Sequence, residues 1–140
     1  MRKTALLALL LLLAACTGSK RDEGLPPIRS HVYRYTAWAD DGKTMVVRGW
    51  MHLDKVKRGV VGEWWLQPVG NPYPIGPQRG QGRLTGEMRD GHLVMELQPD
   101  RRDDNVLLVE TGEGKNLSGT WEWSSIAGVQ GRGTWRATRD

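Results

Sequence analysis

The side chains that could bind a metal ion are few and scattered. The histidines are His31, His52 and His92, and none of them stands at a metal-binding spacing such as HxxxH. Histidine and methionine come together in WMH at 50–52 and in HLVM at 92–95, and soft thioether sulfur suits Cu(I). Neighbouring residues of a strand point to opposite faces, however, and methionine more often fills gaps in a core. The sequence therefore predicts no metal site and no cofactor.

Nucleophiles and paired carboxylates also lack a catalytic setting. No serine lies in a GxSxG sequence. The acid pairs Asp40–Asp41 and Asp103–Asp104 fall in predicted turns, where Asp is favoured because it hydrogen-bonds to nearby backbone. Acid–base catalysis of the glycosidase kind needs one carboxylate in an apolar pocket, and no position in the chain demands one. We therefore predict that the protein is not an enzyme.

The single cysteine, Cys16, ends an N-terminal segment with the layout of a signal peptide. Arg2 and Lys3 precede an apolar run, Ala5–Ala15, which is too short to cross a bilayer. The LAAC sequence at Leu13–Cys16 resembles the lipobox of bacterial lipoproteins. The resemblance implies cleavage before the cysteine and a diacylglycerol on its thiol, the side chain that is easiest to alkylate. The alternative is an ordinary secretory signal with an incidental cysteine.

The lipoprotein interpretation divides the chain into three parts. Residues 1–15 are the signal peptide, residues 16–30 are the lipidated cysteine with a flexible tether, and residues 31–140 are the folded domain. Thr17, which follows the cysteine, resembles the default signal for the outer membrane in Gram-negative lipoproteins. We therefore expect a lipid-anchored domain that faces the periplasm, on a tether that reaches roughly 20 Å.

Charge argues against a nucleic-acid partner. The chain has 20 Lys and Arg residues against 16 Asp and Glu residues. Removal of Arg2 and Lys3 with the signal peptide leaves 18 basic residues and a net charge of +2. Such a weak basic excess does not provide the electrostatic surface that nucleic-acid binding requires.

A five-residue pattern recurs along the domain: a small or apolar residue, any residue, Gly, any residue, and then Trp or Met. The copies are VRGWM at 47–51, VVGEW at 60–64, LTGEM at 84–88, LSGTW at 117–121 and GRGTW at 131–135. Positions one, three and five share one face of a strand. The fourth position is Trp50, Glu63, Glu87, Thr120 or Thr134, mostly polar, so we predict that it faces outward and that the repeat is a packing unit.

Period-two patterns and turn residues predict eight strands and no helix in the domain. The predicted strands are His31–Ala39, Lys43–Leu53, Arg58–Pro68, Arg83–Asp90, His92–Gln98, Asn105–Glu110, Lys115–Ser124 and Val129–Thr138. Eight antiparallel strands with short links favour an all-β, up-and-down barrel of the lipocalin or avidin kind, and an open β-sandwich is the alternative. The sequence LSGTWEW, followed by GRGTW, resembles a hairpin of the avidin and streptavidin family over two strands. The ligand-binding set of that family has no match elsewhere, so we predict no biotin site.

Two surfaces are candidates for binding. The segment Pro68–Gly82 is longer than a hairpin needs and rich in proline, and long ordered loops are often functional. Its apolar side chains, Tyr73 and Ile75, are candidate contacts for a partner at one mouth of the barrel. The alternative is that this loop is structural and covers an open barrel end. Outward Trp50 and Trp65 on the barrel wall are the next candidates.

The function predicted from these features is a non-catalytic, protein-binding or scaffold module in the cell envelope. The alternative is a small apolar, lipid-like ligand held inside the barrel. The predicted inward side chains that would fill the interior and disfavour a cavity are Trp121, Trp123, Trp135, Met88 and Met95.

Overall fold

The computed structural model of the chain describes residues 31–70, 73–112 and 116–139. These residues form eight β-strands and no helix. The strands are β1 (Val32–Ala39), β2 (Met45–Val56), β3 (Gly59–Pro68), β4 (Gly80–Arg89), β5 (His92–Glu96), β6 (Asp104–Glu110), β7 (Leu117–Ser125) and β8 (Gly128–Arg139). Each of the eight predicted strands is present, and its ends lie within three residues of the prediction. None of the described residues belongs to a helix that is long and apolar enough to span a bilayer.

The sheet closes on itself. Each strand pairs antiparallel with the next one in the chain, and β8 pairs with β1. This arrangement confirms the eight-stranded, up-and-down barrel and excludes the open sandwich. Closure supplies a partner strand to the edges that an open sheet would expose.

The glycines of the repeat lie where another part of the chain approaches closely, and at Gly133 that neighbour includes an indole ring. Gly119 lies opposite Trp135 and Gly133 lies opposite Trp121 in the β7–β8 pair. A Cβ atom on Gly133 would lie 2.6 Å from the Nε1 atom of Trp121. The ring of Trp121 therefore lies against a residue without a side chain, which helps Trp121 and Trp135 to share a narrow interior.

Side chains fill the interior of the barrel. The largest fully buried ones include Trp121, Trp135, Tyr35, Met51, Leu84, Met95 and Leu108. The rings of Tyr35 and Trp135 stack with centroids 6.1 Å apart. The buried indole N–H groups have acceptors, because Trp121 donates to the carbonyl of Trp38 and Trp135 donates to the carbonyl of Thr120.

The prediction that Met88 fills the interior is wrong. Its side chain is 58% exposed. The partner strand β3 begins at Gly59, which lies opposite Glu87, so Met88 extends past the end of that strand. Trp123, another predicted interior residue, is half-buried against the core.

The two ends of the barrel carry different connections. The loop end contains the connections 40–44, 69–79, 97–103 and 126–127. The tether end contains the connections 57–58, 90–91 and 111–116, together with His31, where the described chain begins, and Arg139, where it ends.

The connection 69–79 closes the loop end. Ile75 is 2% exposed and Gln78 is fully buried. The hydroxyl of Tyr35, inside the barrel, donates to Oε1 of Gln78 at 3.0 Å, and Nε2 of Gln78 donates to the carbonyl of Ile75 at 3.0 Å. Gly76 lies directly against the indole of Trp123. This loop is therefore part of the core, which agrees with the alternative that it covers an open barrel end.

Candidate functional site

The barrel wall is incomplete between β4 and β5. The ladder between these strands runs from the Arg89–His92 pair to the Thr85–Glu96 pair and stops there. Strand β4 nevertheless starts five residues before Thr85, at Gly80, and pairs with β3 from that residue onward. We call this gap, between residues 80–84 of β4 and residues 97–101, the seam.

The alternation of the ladder decides which backbone groups face the seam. Asp90 and Gly91 form a two-residue hairpin turn with φ angles of 50° and 83°. The residues that flank such a turn, Arg89 and His92, form a hydrogen-bonded pair, and every second residue of β4 repeats that orientation. The N–H and C=O groups of Arg83 and Gln81 therefore point into the seam.

Trp64 bridges the two sides of the seam. Its indole N–H donates to the carbonyl of Leu97 at 2.8 Å and, more weakly, to the carbonyl of Arg83 at 3.3 Å. The ring reaches this position by crossing Gly82, where a Cβ atom would lie 2.6 Å from Cζ2 of Trp64. The bridge occupies the carbonyl of Arg83 but leaves the N–H of Arg83 and both backbone groups of Gln81 facing the gap.

Strand β5 leaves β4 because residues 97–98 follow β6 instead. The N–H of Leu97 donates to the carbonyl of Val106, and the N–H of Gln98 donates to Oδ1 of Asn105. The side chain of Gln98 accepts from the N–H of Val106. Pro99 then ends the extended segment, because it has no N–H to donate.

Arginine side chains dominate the charge of the seam. A cavity of about 260 Å³ lies there, and its charged lining residues are Arg79, Arg83, Arg101 and Asp100. Arg101 forms an exposed ion pair with Asp104 at 3.3 Å. No ion pair or hydrogen bond within the described ranges engages the guanidinium group of Arg79 or Arg83. The seam therefore offers two uncommitted cations beside an open strand edge.

An aromatic row leads to the same edge across the outer wall. Trp50 and Trp65 lie directly opposite each other, and Trp65 lies opposite Gln81. The guanidinium carbon of Arg34, on the other side of Trp50, lies 5.2 Å from the centre of the indole. Both tryptophans are half-buried. The predicted outward position of Trp50 and Trp65 is therefore confirmed, and the row ends at the seam.

The two predicted loop contacts have different positions. Ile75, a candidate contact in the sequence, is buried, so it belongs to the core and offers no surface to a partner. Tyr73 is half-buried and its hydroxyl donates to Oδ1 of Asp40 at 3.0 Å, a hydrogen bond that raises the pKa of the phenol. Other parts of the predicted loop, Pro77 and Arg79, line the seam.

A second cavity adjoins the seam on the outer wall. Its volume is about 440 Å³, and it shares Arg83, Pro99 and Asp100 with the seam cavity. His52 lines it, is 5% exposed, and has its Nε2 atom 3.4 Å from Oδ1 of Asp54. In the described part of the chain, no group of three or more His, Cys, Asp or Glu side chains is placed to hold a metal ion.

No protein-family model matches the chain, and no curated protein or solved structure shows significant similarity to it. The resemblance to an avidin hairpin therefore rests on the two quoted segments and on the shared barrel architecture alone.

Few residues of the sequence indicate the seam. The unpaired backbone groups of the seam exist because β5 stops pairing with β4 and the chain continues along β6. No single residue indicates where this change of partner occurs. The glycines of GQG at 80–82 and the proline of QPD at 98–100 are the available signals, because Gly next to a large ring and Pro at the end of a strand both mark irregular pairing.

Proposed function

We propose that the protein is a non-catalytic binding module that captures an extended segment of a partner protein at the seam. The observation that carries this proposal is the open edge of β4 in a barrel that is otherwise closed. An extended segment can pair with such an edge through main-chain hydrogen bonds, while alternate side chains enter pockets and provide specificity.

The chemistry around the edge indicates which segment would fit. Arg79 and Arg83 are available for charge-assisted hydrogen bonds to carboxylates, which are stronger than neutral ones. Trp50 and Trp65 provide an aromatic surface beside Gln81, and aromatic residues are enriched at protein interfaces. The partner segment that we propose is therefore extended, carries at least one carboxylate, and places an apolar side chain toward the tryptophans.

The filled interior favours the outer surface over the alternative of an internal apolar ligand. Trp121, Trp135 and Met95 occupy the centre of the barrel, and the 69–79 loop closes one end. A lipid-like ligand would have to displace these side chains. We therefore place the binding function on the seam and not in the interior.

The side chains of His52 and His92 are engaged by other groups. His52 contacts Asp54, and His92 contacts the backbone carbonyl of Glu110. Within the described ranges, no histidine is hydrogen-bonded to a serine. A contact between a serine and a histidine is one of the arrangements that activate a nucleophile.

We further propose that the module is held at the outer membrane, on its periplasmic side, by a lipid on Cys16. The support is the LAAC sequence and the length of the apolar run before it; Cys16 itself lies outside the described residues. Wild type should fractionate with the outer membrane, whereas Cys16→Ala should remain uncleaved or be released. Equal fractionation of the two forms would reject the anchor.

Photocrosslinking in cells tests the seam. A benzophenone amino acid at Gln81 or Arg83 should form a crosslink to a specific protein, which mass spectrometry can identify. The same probe at Thr134, which is exposed on the far wall, serves as the control and should form none. Crosslinks from Thr134 to the same partner, or their absence at both seam positions, would contradict the proposed site.

A backbone variant tests whether strand pairing provides the affinity. Gln81→Pro removes an N–H group that faces the seam and leaves the hydrogen bonds to β3 in place, so it should keep the melting temperature and abolish capture of the crosslinked partner. Gln81→Ala, which keeps the N–H group, should bind nearly as well as wild type. If both variants bind equally, side chains and not the strand edge hold the partner.

A further inference from the structure

The tether end of the barrel carries two neighbouring tips in which apolar and basic side chains are both exposed. The β2–β3 tip contains Val56, which is 48% exposed, and the β4–β5 tip contains Met88, which is 58% exposed. The tips are adjacent because Gly59 of β3 lies opposite Glu87 of β4. Exposed apolar side chains at the ends of hairpins can enter the interfacial region of a bilayer at little cost to the fold.

Cations flank Val56, the apolar residue of the β2–β3 tip. Lys55, Lys57 and Arg58 are all exposed on the β2–β3 tip, with Asp54 as the acidic residue at its base. On the β4–β5 tip, Arg89 is paired with Glu87 and Glu96. The β2–β3 tip therefore has a local excess of positive charge, which is attracted to anionic lipid headgroups.

The described chain enters the barrel at this end. The first described residue, His31, lies at the tether end, where its carbonyl accepts a hydrogen bond from the N–H of Leu53 on β2. Residues 16–30, the proposed tether, therefore join the barrel beside the basic tip. If Cys16 carries a lipid, the tips lie within the roughly 20 Å that the tether spans.

We propose that the tether end docks on an anionic lipid surface, with Val56 and Met88 in the interface and Lys55, Lys57 and Arg58 among the headgroups. The choice of membrane rests on the proposed lipid anchor. The contact between the tips and the lipid surface needs no acyl chain on the protein. Docking would leave the loop end and the seam free for a partner in the aqueous phase.

Vesicle binding by an unlipidated chain tests the contact directly. All eight strands lie between Val32 and Arg139, so a chain that starts at residue 16 and carries Cys16→Ser keeps the whole fold. It should sediment with vesicles of phosphatidylcholine and phosphatidylglycerol at a 7:3 ratio, sediment much less with pure phosphatidylcholine, and lose binding as salt is raised.

A charge-matched pair of triple variants locates the contact. Replacement of Lys55, Lys57 and Arg58 by Gln should lower the partition coefficient on the order of 100-fold, because each cation near an anionic surface contributes roughly fivefold. The control replaces three exposed cations of the loop end by Gln and should bind like the parent chain. Its positions are Lys43, Arg102 and Arg132. Equal loss of binding in the two variants would overturn the proposal, because net charge alone would then explain it.

Site-specific labels test the orientation. In the Cys16→Ser chain, an NBD fluorophore on Val56→Cys should shift to the blue and gain intensity on anionic vesicles. The same label on Ile126→Cys, at the loop end, should not change; Ile126 is 90% exposed and is the matched apolar tip. A response at residue 126 alone, or at neither position, would overturn the proposal. Failure of the lipid anchor is a separate result, since it appears in the Cys16→Ala fractionation and leaves these vesicle measurements unchanged.

Discussion

At the loop end of the barrel a long connection carries Ile75 and Gln78 into the core, whereas at the tether end Val56 and Met88, at the ends of strands β2 and β4, are exposed to solvent. Both ends belong to the same closed sheet, and both have apolar residues near their rims. They differ in what covers the rim. The 69–79 connection covers the barrel at the loop end, so Ile75 and Gln78 stabilise the fold, whereas Val56 and Met88 at the tether end remain available for contacts with other molecules.

This difference separates apolar side chains that stabilise the fold, such as Ile75, from apolar side chains that are exposed, such as Val56 and Met88. Substitutions in the 69–79 loop should change the free energy of unfolding, because they remove buried contacts. Substitutions at the tips of the tether end should leave that free energy almost unchanged, because surface positions contribute little. Thermal or urea unfolding of matched pairs, one variant from each end, can therefore test the comparison.

Replacement of the 69–79 loop should have the largest effect. A short Gly-Asn turn between β3 and β4 would remove Ile75, uncover Trp123 and leave the hydroxyl of Tyr35 without its acceptor. We expect a loss of about 4 kcal/mol or more, enough to unfold a marginally stable domain. Circular dichroism melts would show it. A variant that keeps the melting temperature of wild type would mean that the loop is a separable recognition element and that its buried contacts contribute nothing.

A single truncation at each rim sharpens the comparison. Ile75→Ala should destabilise by about 2–4 kcal/mol, because it leaves a cavity under the loop. Met88→Ala removes a side chain of similar size from solvent and should cost less than about 0.5 kcal/mol. Urea titrations of the two variants measure both values. Comparable losses would show that Met88 is packed in solution, and the division between the ends would fail.

The strands could be predicted from sequence because their signal is local. An apolar residue, a glycine and a tryptophan at alternate positions, as in LSGTW at 117–121, define both the period and the inward face of a strand. Two-residue turns such as Asp90–Gly91 then define where the strand ends, because few other residues take a positive φ. The barrel follows from eight such strands with short links.

The function of the loop could not be predicted in the same way. Ile75 and Gln78 lie among prolines and glycines, where no periodicity distinguishes a buried side chain from an exposed one. The partner of Gln78 is Tyr35, 43 residues away in the chain, and only closure of the barrel brings the two together. The seam depends on tertiary structure for the same reason, since the change of partner by β5 requires Gln98 to meet Asn105 and Val106.

Removal of one tyrosine hydroxyl at each end should produce a smaller difference in the free energy of unfolding. Tyr35→Phe leaves Oε1 of Gln78 buried without a donor, and we expect a loss of about 1–3 kcal/mol. Tyr33→Phe is the matched change toward the tether end; the hydroxyl of Tyr33 makes no hydrogen bond to the described residues, so we expect a loss below about 0.5 kcal/mol. A double variant with Tyr35→Phe and Gln78→Met should recover part of the stability, because both polar partners are then removed. No recovery would mean that the buried hydrogen bond does not account for the loss.

The smallest effect that we predict concerns the turns of the two ends. Asp90, in the tether-end turn, takes a positive φ of 50° and so shapes the backbone directly. Asp41, in the loop-end turn, acts through its carboxylate, which accepts hydrogen bonds from the N–H groups of Lys43 and Thr44 and from the hydroxyl of Thr44. The bonds from Thr44 and then from Lys43 lower the pKa of Asp41 from 3.8 to about 2.

The direction of the resulting pH dependence follows from that shift. A carboxyl group whose pKa is lower in the folded state stabilises the fold above its unfolded pKa, and the stabilisation disappears as the pH falls from about 4 through about 2. Because Asp41 is fully exposed to solvent, we expect only a slight steepening of the acid side of the stability curve.

Urea midpoints at several pH values between 5 and 2 should fall less steeply for Asp41→Asn than for wild type. Thr44→Val, which removes one of the three donors, should give an intermediate slope, and an NMR titration of Asp41 in that variant should show a higher pKa. An unchanged slope in Asp41→Asn would mean that the turn holds its conformation without the carboxylate, as the tether-end turn does through the backbone of Asp90.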